Sequence, residues 1–447
     1  MQEDQSNISK TVKTTLNSIV SEMAECPSLF AVHPEKDFTR NTPLNFENTM
    51  QAVLQMGGQS LNRELYDFMK DTGRTVSVSA FVQQRAKLLP EAFDFAFHEF
   101  NARTEYLDTQ TYDGMKVYAV DGSDVCFAIN PLSDTYMKSG NYNMYHMNAL
   151  YDLLNHTYKD LIIEPKTSYS EPRSAWQMAE RSLNGEKCIL IGDRGYGGAN
   201  LFEHINRCDG VEYLIRVKNN LFKEFRDLPM AEFDMDITFH LRTTQTNKDK
   251  EIFARNEAKW IQGNSTKGKV KKKKTWDFES PFDLTVRVVK LKISDKGSKD
   301  DYYTVCTSLD RFRFPAWKIK ELYRLRWQIE SSFRELKYAL GLINFHARKE
   351  GFIRQEIFAH FLMYNYCERI AMNVVTRQDE GRKWAYVVNH TMAVYICLDY
   401  FRHRGTDPPP VTPEQEIRKH ILPVRDNRRD RRKIVAKPAV CFLYRVA

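Results

Sequence analysis

From Lys187 to Gly198 the chain reads KCILIGDRGYGG, in which the apolar run CILIG stops at Asp193. A run this short and this evenly apolar suits a strand covered on both faces, where an edge-exposed strand would alternate with polar residues. Helical stretches flank it, Ser174 to Leu183 before and GANLFEHINRC after, and VEYLIRVK reads as the next strand. Upstream, MKVYAVDGSDVCFAI reads as a strand carrying Asp121 near its end, followed by two further strand candidates, MYHMNALYDLLN and HTYKDLIIEP. The order strand, strand, strand, helix, strand, helix, strand gives an α/β fold on a helix-covered sheet.

The rest of the chain differs in texture, which sets the expected boundaries. Residues 1–110 read as a helical N-terminal region and 111–218 as the first part of the α/β core. Residues 219–308 read as a β-rich insertion (ITFHLRTTQT, FDLTVRVVKLKI, DYYTVCTSL), 309–375 as the second, helical part of the core, and 376–447 as a helical and basic C-terminal region. Within the first region, two helix candidates (LNFENTMQAVLQM and LNRELYDFM) precede SVSAFVQQRAKLL, which Ser77 or Ser79 can cap. A capped helix carrying Gln83, Gln84, Arg85 and Lys87 is compatible with a helix-turn-helix reader of DNA ends, and equally with an ordinary bundle.

Composition narrows the class. At 447 residues the chain exceeds one ordinary core, and 42% hydrophobic with 12% aromatic residues sets wholesale disorder aside. The formal charge is only +8, but it is unevenly spread, with KGKVKKKK at 267–274 and Arg425, Arg428, Arg429, Arg431, Arg432 and Lys433 near the end. The cysteines stand singly without CxxC pairs, and no histidine pair has zinc-ligand spacing, so reduced thiols in a cytoplasmic protein are expected. The polar start MQEDQSN lacks a signal-peptide layout, and Trp384 to Tyr400 reads as a packed helix rather than a membrane span.

Two strand-terminal aspartates, each with a glycine close behind (Asp121-Gly122, Asp193-Arg194-Gly195), suit a shallow site for a hard divalent cation. They also suit two plain turns. ELYRLRWQIESSFRELKYALG adds more. At about 100° per residue, Leu322, Leu325, Ile329, Phe333, Leu336 and Leu340 form one apolar stripe, and Tyr323, Arg326, Glu330 and Lys337 share a narrow arc beside it, bordered by Trp327. A plain surface helix with i, i+4 pairs gives no reason for that arc. One metal-binding carboxylate, two phosphate-holding cations and an aromatic hydroxyl give one.

In this helix the sequence resembles the insertion sequence 4 family of bacterial DDE transposases, whose motif Tyr-x2-Arg-x3-Glu-x6-Lys fits Tyr323, Arg326, Glu330 and Lys337 without adjustment. VDGS around Asp121, GDRGY around Asp193 and the basic strand end IRVK, with Arg216 and Lys218, match the family's other landmarks over roughly residues 115 to 345. The resemblance implies a ribonuclease H-like mixed-sheet core interrupted by a β-rich insertion. It also implies Asp121, Asp193 and Glu330 as catalytic ligands of two Mg²⁺ ions, with Mn²⁺ able to substitute.

DNA contacts would come from Tyr323, Arg326, Lys337, Trp327, Arg216 and Lys218. The partners would be double-stranded DNA, as the element's terminal inverted repeats and as target, bound by a synaptic dimer in the bacterial cytoplasm and on the nucleoid. Trp260 and Trp276 are candidates for a DNA-distorting aromatic and equally for core. Two rival readings stay open: a ribonuclease H-like nuclease that cuts without joining, and a catalytically silent DNA-binding derivative.

Overall fold

In the computed structural model the described residues are 8–40, 42–219, 221–225, 228–242, 247, 250–251, 276–293, 302–374, 384–403 and 411–424. Strands β1 (Lys116–Phe127), β2 (Tyr136–Met137), β3 (Tyr142–Asp152), β4 (Thr157–Pro165), β5 (Cys188–Gly192) and β6 (Val211–Val217) make one mixed sheet. β1 pairs antiparallel with β3 and β3 with β4, whereas β1, β5 and β6 run parallel. The spatial order β4-β3-β1-β5-β6, with β3 alone reversed, is that of a ribonuclease H-like sheet.

Three strands from the segment 219–308, β7 (Phe233–Leu241), β8 (Phe282–Lys292) and β9 (Tyr302–Thr307), do not form a sheet of their own. They continue the same sheet through an antiparallel β6–β9 pair, in the order β6-β9-β8-β7. Pairing on β9 satisfies backbone groups that β6 would otherwise expose at an edge.

Alternation along the strands sends side chains into two cores. Val117, Ala119, Ile189, Ile191 and Leu214 point to one face, and Val120, Leu190 and Ile215 to the other. The second face is covered by α6 (Glu171–Ser182) and α7 (Ala199–Asn206), whose Met178, Ala179, Leu201 and Ile205 are buried there. The first face carries the N-terminal helices α1 (Ile8–Glu25), α2 (Phe46–Leu54), α3 (Leu61–Met69), α4 (Val78–Arg85) and α5 (Glu91–Thr104). It also carries α8 (Ala316–Leu325), α9 (Trp327–Tyr338), α10 (Glu350–Ala371), α11 (His390–Arg402) and the short α12 (Pro413–Ile417). α10 is buried along nearly its whole length in this core, its polar side chains included.

Two local expectations need correcting. The segment opening Trp384 to Tyr400 is not helical throughout: Ala385–Val388 form β10, paired antiparallel with β11 (Ile421–Val424), and α11 starts only at His390, capped by Asn389. Asn389, one of the residues interrupting that apolar stretch, is the N-cap itself. Arg85, counted among residues a reader helix could present, is buried. Its guanidinium binds Glu356 (2.8 Å), the Gln355 side chain and the Phe352 carbonyl of α10. Beside it Gln84 donates to the Leu44 carbonyl, so α4 docks onto its neighbours through residues that a DNA reader would need outside.

Candidate active site

Strand register brings the two aspartates together. The parallel pairing of β1 with β5 ends at Val120 opposite Gly192, so Asp121 and Asp193 each follow the last paired residue on adjacent strands. Asp121 shares parity with Val117 and Ala119, and Asp193 with Ile189 and Ile191, so both carboxylates leave on the face where α8 and α9 pack. Asp121 is not at the end of its strand as expected: β1 runs on to Phe127 with β3 as its only partner there, and only the parallel pairing stops at the site. Gly192 is in turn opposite Ile215, which sets Arg216 beside Asp193 at the matching end of β6.

The helix facing them is interrupted at Arg326. α8 ends at Leu325 and α9 begins at Trp327, with Arg326 between in right-handed helical geometry. Around it the amides of Arg326 and Ile329 bond three residues back, to Tyr323 and Arg326, a tightening of the 3₁₀ kind. Leu322, Ile329, Leu336, Phe333 and Leu340 are buried, and Glu330 stands exposed on the site side. Arg326 is buried and spans the carboxylates: it donates to Glu330 at 2.8 Å and lies 3.7 Å from Asp121.

Burial pushes the Asp121 carboxyl up to about 6, with Asp193 and Glu330 adding to the rise and the Gly122 amide and Arg326 opposing it. Asp193 is held by the Gly195 amide at 2.6 Å. A partly buried carboxylate with two like charges beside it is the environment a cation relieves. The oxygen donors of Asp121, Asp193 and Glu330 suit a hard divalent ion, with Arg326 as their present counter-charge.

The other expected site residues divide. Tyr323 is buried against Tyr303, with ring centroids 5.4 Å apart, and Arg216 lies over that same Tyr303 ring. Burial raises the Tyr323 hydroxyl, opposed by Arg326 and Arg216. Trp327 is 61% exposed beside the Arg326 guanidinium, and Lys218 is exposed just past β6. Lys337 does not point into the carboxylate cluster. It donates to the Asp124 carbonyl at 2.9 Å, and burial lowers its pKa with Asp124 opposing. Trp276 is core, packed on Phe278 and Phe282 with its indole nitrogen bonded to the Glu279 carbonyl. Trp260, the run at 267–274 and the basic tail beyond Val424 lie outside the described residues.

Sequence reasoning missed a polar cluster behind the aspartates. A Cβ at Gly122 would come within 2.3 Å of His146 Nε2, so this glycine makes room for an imidazole rather than for a ligand. His146 pairs with Asp124 (2.6 Å) and faces Glu171 (3.3 Å), and Lys166 also holds Asp124. Glu171, the first residue of α6, reaches to about the Asp193 loop: a Cβ at Gly195 would meet Glu171 Oε2 at 3.0 Å and Asp193 Oδ1 at 2.9 Å. The signal was present in Ser170-Glu171-Pro172, a helix start three residues earlier than the expected Ser174.

Residues 112–366 match the family model described as a transposase DDE domain, more than half of the chain. This chain belongs to the DDE transposase family. Among solved structures it is similar to a piggyBac transposase synaptic complex with hairpin DNA, at 10% identity and a TM-score of 0.46, over 93% of this chain and 85% of that one. No curated protein matches the sequence. Among the described residues, no helix of this DDE transposase is long and apolar enough to cross a membrane.

Proposed function

We propose that this protein is a cut-and-paste transposase of the insertion sequence 4 type, moving a bacterial element by phosphodiester hydrolysis and strand transfer. The observation that carries this reading is the register that ends the parallel β1–β5 pairing with Asp121 and Asp193 next on each strand, facing the helix break where Arg326 reaches Glu330. Asp121, Asp193 and Glu330 would hold Mg²⁺, or Mn²⁺ in its place. Bound there, the metal would activate the attacking oxygen and stabilise the leaving one.

The chain's own residues do the rest. Water attacks a phosphorus at the element end, the P–O3′ bond breaks, and a 3′-hydroxyl and a 5′-phosphate result. That hydroxyl then attacks a phosphodiester of the opposite strand or of target DNA, so the number of phosphodiester bonds is conserved. Arg326 serves as counter-charge to the carboxylates until a cation takes that role, and then turns to a substrate phosphate. Arg216 and Lys218 at the end of β6, and Tyr323 and Trp327 on the helix, line the approach of the DNA end. Lys337, bonded to a β1 carbonyl, ties the glutamate helix to the aspartate strand and reaches DNA only by releasing that bond. Two chains would act together, one on each end, on DNA in the bacterial cytoplasm.

A strand-transfer assay tests the reading. The labelled substrate is DNA from the ends flanking the protein's own coding sequence, offered with plasmid and Mg²⁺. Joined product is expected. Cut product alone would make the protein a nuclease, and a mobility shift with no chemistry a DNA-binding derivative.

A further inference from the structure

A second group of potential metal ligands lies on the far side of the glutamate helix. Glu335 of α9, Glu368 of α10 and His390 of α11 place ligand atoms within 4.8 Å of one another. His390 Nδ1 is 3.2 Å from Glu368 Oε1, and His156, from the β3–β4 turn, puts its Nδ1 3.9 Å from the other oxygen, Oε2. An ion pair between His390 and Glu368 would account for one carboxylate oxygen only. Glu368 is 1% exposed, and its Oε2, turned toward His156 at more than hydrogen-bond distance, has no hydrogen-bond partner among the described residues. A buried carboxylate oxygen left bare is destabilising unless something satisfies it.

We propose that His156, Glu335, Glu368 and His390 form a structural divalent-metal site, distinct from the catalytic carboxylates and best suited to zinc. Two imidazoles and two carboxylates are a donor set that favours zinc over magnesium or calcium. Four-coordinate zinc with bonds of about 2.0–2.2 Å sets its ligand atoms roughly 3.3–3.6 Å apart. The His390–Glu368 contact of 3.2 Å is already at that value, Glu335 lies within 4.8 Å of both, and His156 stands 3.9 Å from Glu368. Two carboxylates also balance the charge of the ion. Tyr364 donates to Glu335 Oε2 at 3.3 Å, an outer hydrogen bond of the kind that orients a metal-binding carboxylate. The ligands come from β3–β4, α9, α10 and α11, so the ion would fasten the C-terminal helix and the sheet to the helix that carries Glu330.

The test uses the full chain carrying Asp121→Asn, Asp193→Asn and Glu330→Gln, so that the catalytic carboxylates contribute nothing. After chelation it is titrated with Co²⁺, read by the visible bands of four-coordinate cobalt, and then with Zn²⁺ by calorimetry. One equivalent per chain is expected, with zinc displacing cobalt. Adding Glu368→Gln or His390→Gln should weaken binding by at least about tenfold, and Tyr364→Phe by roughly ten- to a hundredfold, as for other outer partners. No bound equivalent in the parent chain overturns the proposal, as does uptake unchanged by Glu368→Gln and His390→Gln in variants with unaltered circular dichroism. The parent titration decides alone if those variants fail to fold. Neither result bears on strand transfer, which is measured separately.

Discussion

Asp121 carries a cost that its proposed role explains. Held at about 6 by burial, with Asp193 and Glu330 adding to the rise, its carboxyl keeps its proton more tightly folded than unfolded. Stability therefore falls as pH rises from the ordinary 3.8 to about 6, and the full cost persists above that window. In metal-free protein at neutral pH, Asp121→Asn should raise the thermal midpoint by a few degrees. The wild type should gain stability on adding Mg²⁺ or Mn²⁺, and the variant much less. A wild-type midpoint indifferent to divalent cations would contradict the metal-binding role. Some of this was legible in the sequence, since a glycine behind each aspartate was read as room for a ligand or as a turn. The sequence could not say what packs there, because His146 and Glu171 reach Gly122 and Gly195 only through the sheet and α6.

Among elements, the helix read through ELYRLRWQIESSFRELKYALG is two, α8 and α9, which meet at Arg326. Its apolar stripe was legible because helical period survives a one-residue break, whereas the break follows from Arg326 turning toward Asp121 and Glu330, which no periodicity encodes. Arg326 and Lys337 flank Glu330, one on the carboxylates and one on the β1 backbone. Bending a DNA end for the second attack costs roughly 1–10 kcal/mol, which protein contacts must offset. Arg326→Ala and Lys337→Ala should therefore still nick but accumulate nicked ends, with joined product reduced far more than the first cut. Equal loss of both steps in a time course would show that the pair only binds substrate.

The two helices that meet at Arg85 and Glu356 set a second test at this scale. Burial pushes the Glu356 carboxyl up, but Arg85 and His346 outweigh it and hold it down at about 2. The stability this pair contributes is present above the ordinary 4.5 and is lost as pH falls toward 2. Glu356→Gln leaves Arg85 buried without its charge partner and should cost about 3–5 kcal/mol at pH 7. Urea midpoints should show the wild type losing that margin under acid while the variant, already without it, changes less. A variant as stable as the wild type at pH 7 would mean α4 docks by apolar packing alone.

For the molecule as a whole, the ribonuclease H-like core was what the resemblance implied, whereas the chain order of strands and helices in the core could be read from apolar runs, helical stripes and turn residues, all local signals. The continuation of the sheet into β9, β8 and β7 could not, because antiparallel pairing between residues far apart leaves no local mark. The same distance hides the cluster of His156, Glu335, Glu368 and His390 from any search for ligand spacing. Its detection needed three helices and a turn to be folded together. Helices from the N-terminal and C-terminal regions share one core over the face that bears Asp121, so β1 is braced by segments far from it in sequence.

The central claim is that Asp121, Asp193 and Glu330 act as one metal-binding unit in cleavage and not in DNA recognition. Its most direct measurement is Mg²⁺-dependent nicking of a labelled element end by Asp121→Ala, Asp193→Ala and Glu330→Ala, beside end binding by mobility shift on the same preparations. Each variant should bind the end as the wild type does and lose nicking, and double variants should lose no more than single ones. Robust Mg²⁺-dependent cleavage by any one of the three would contradict it.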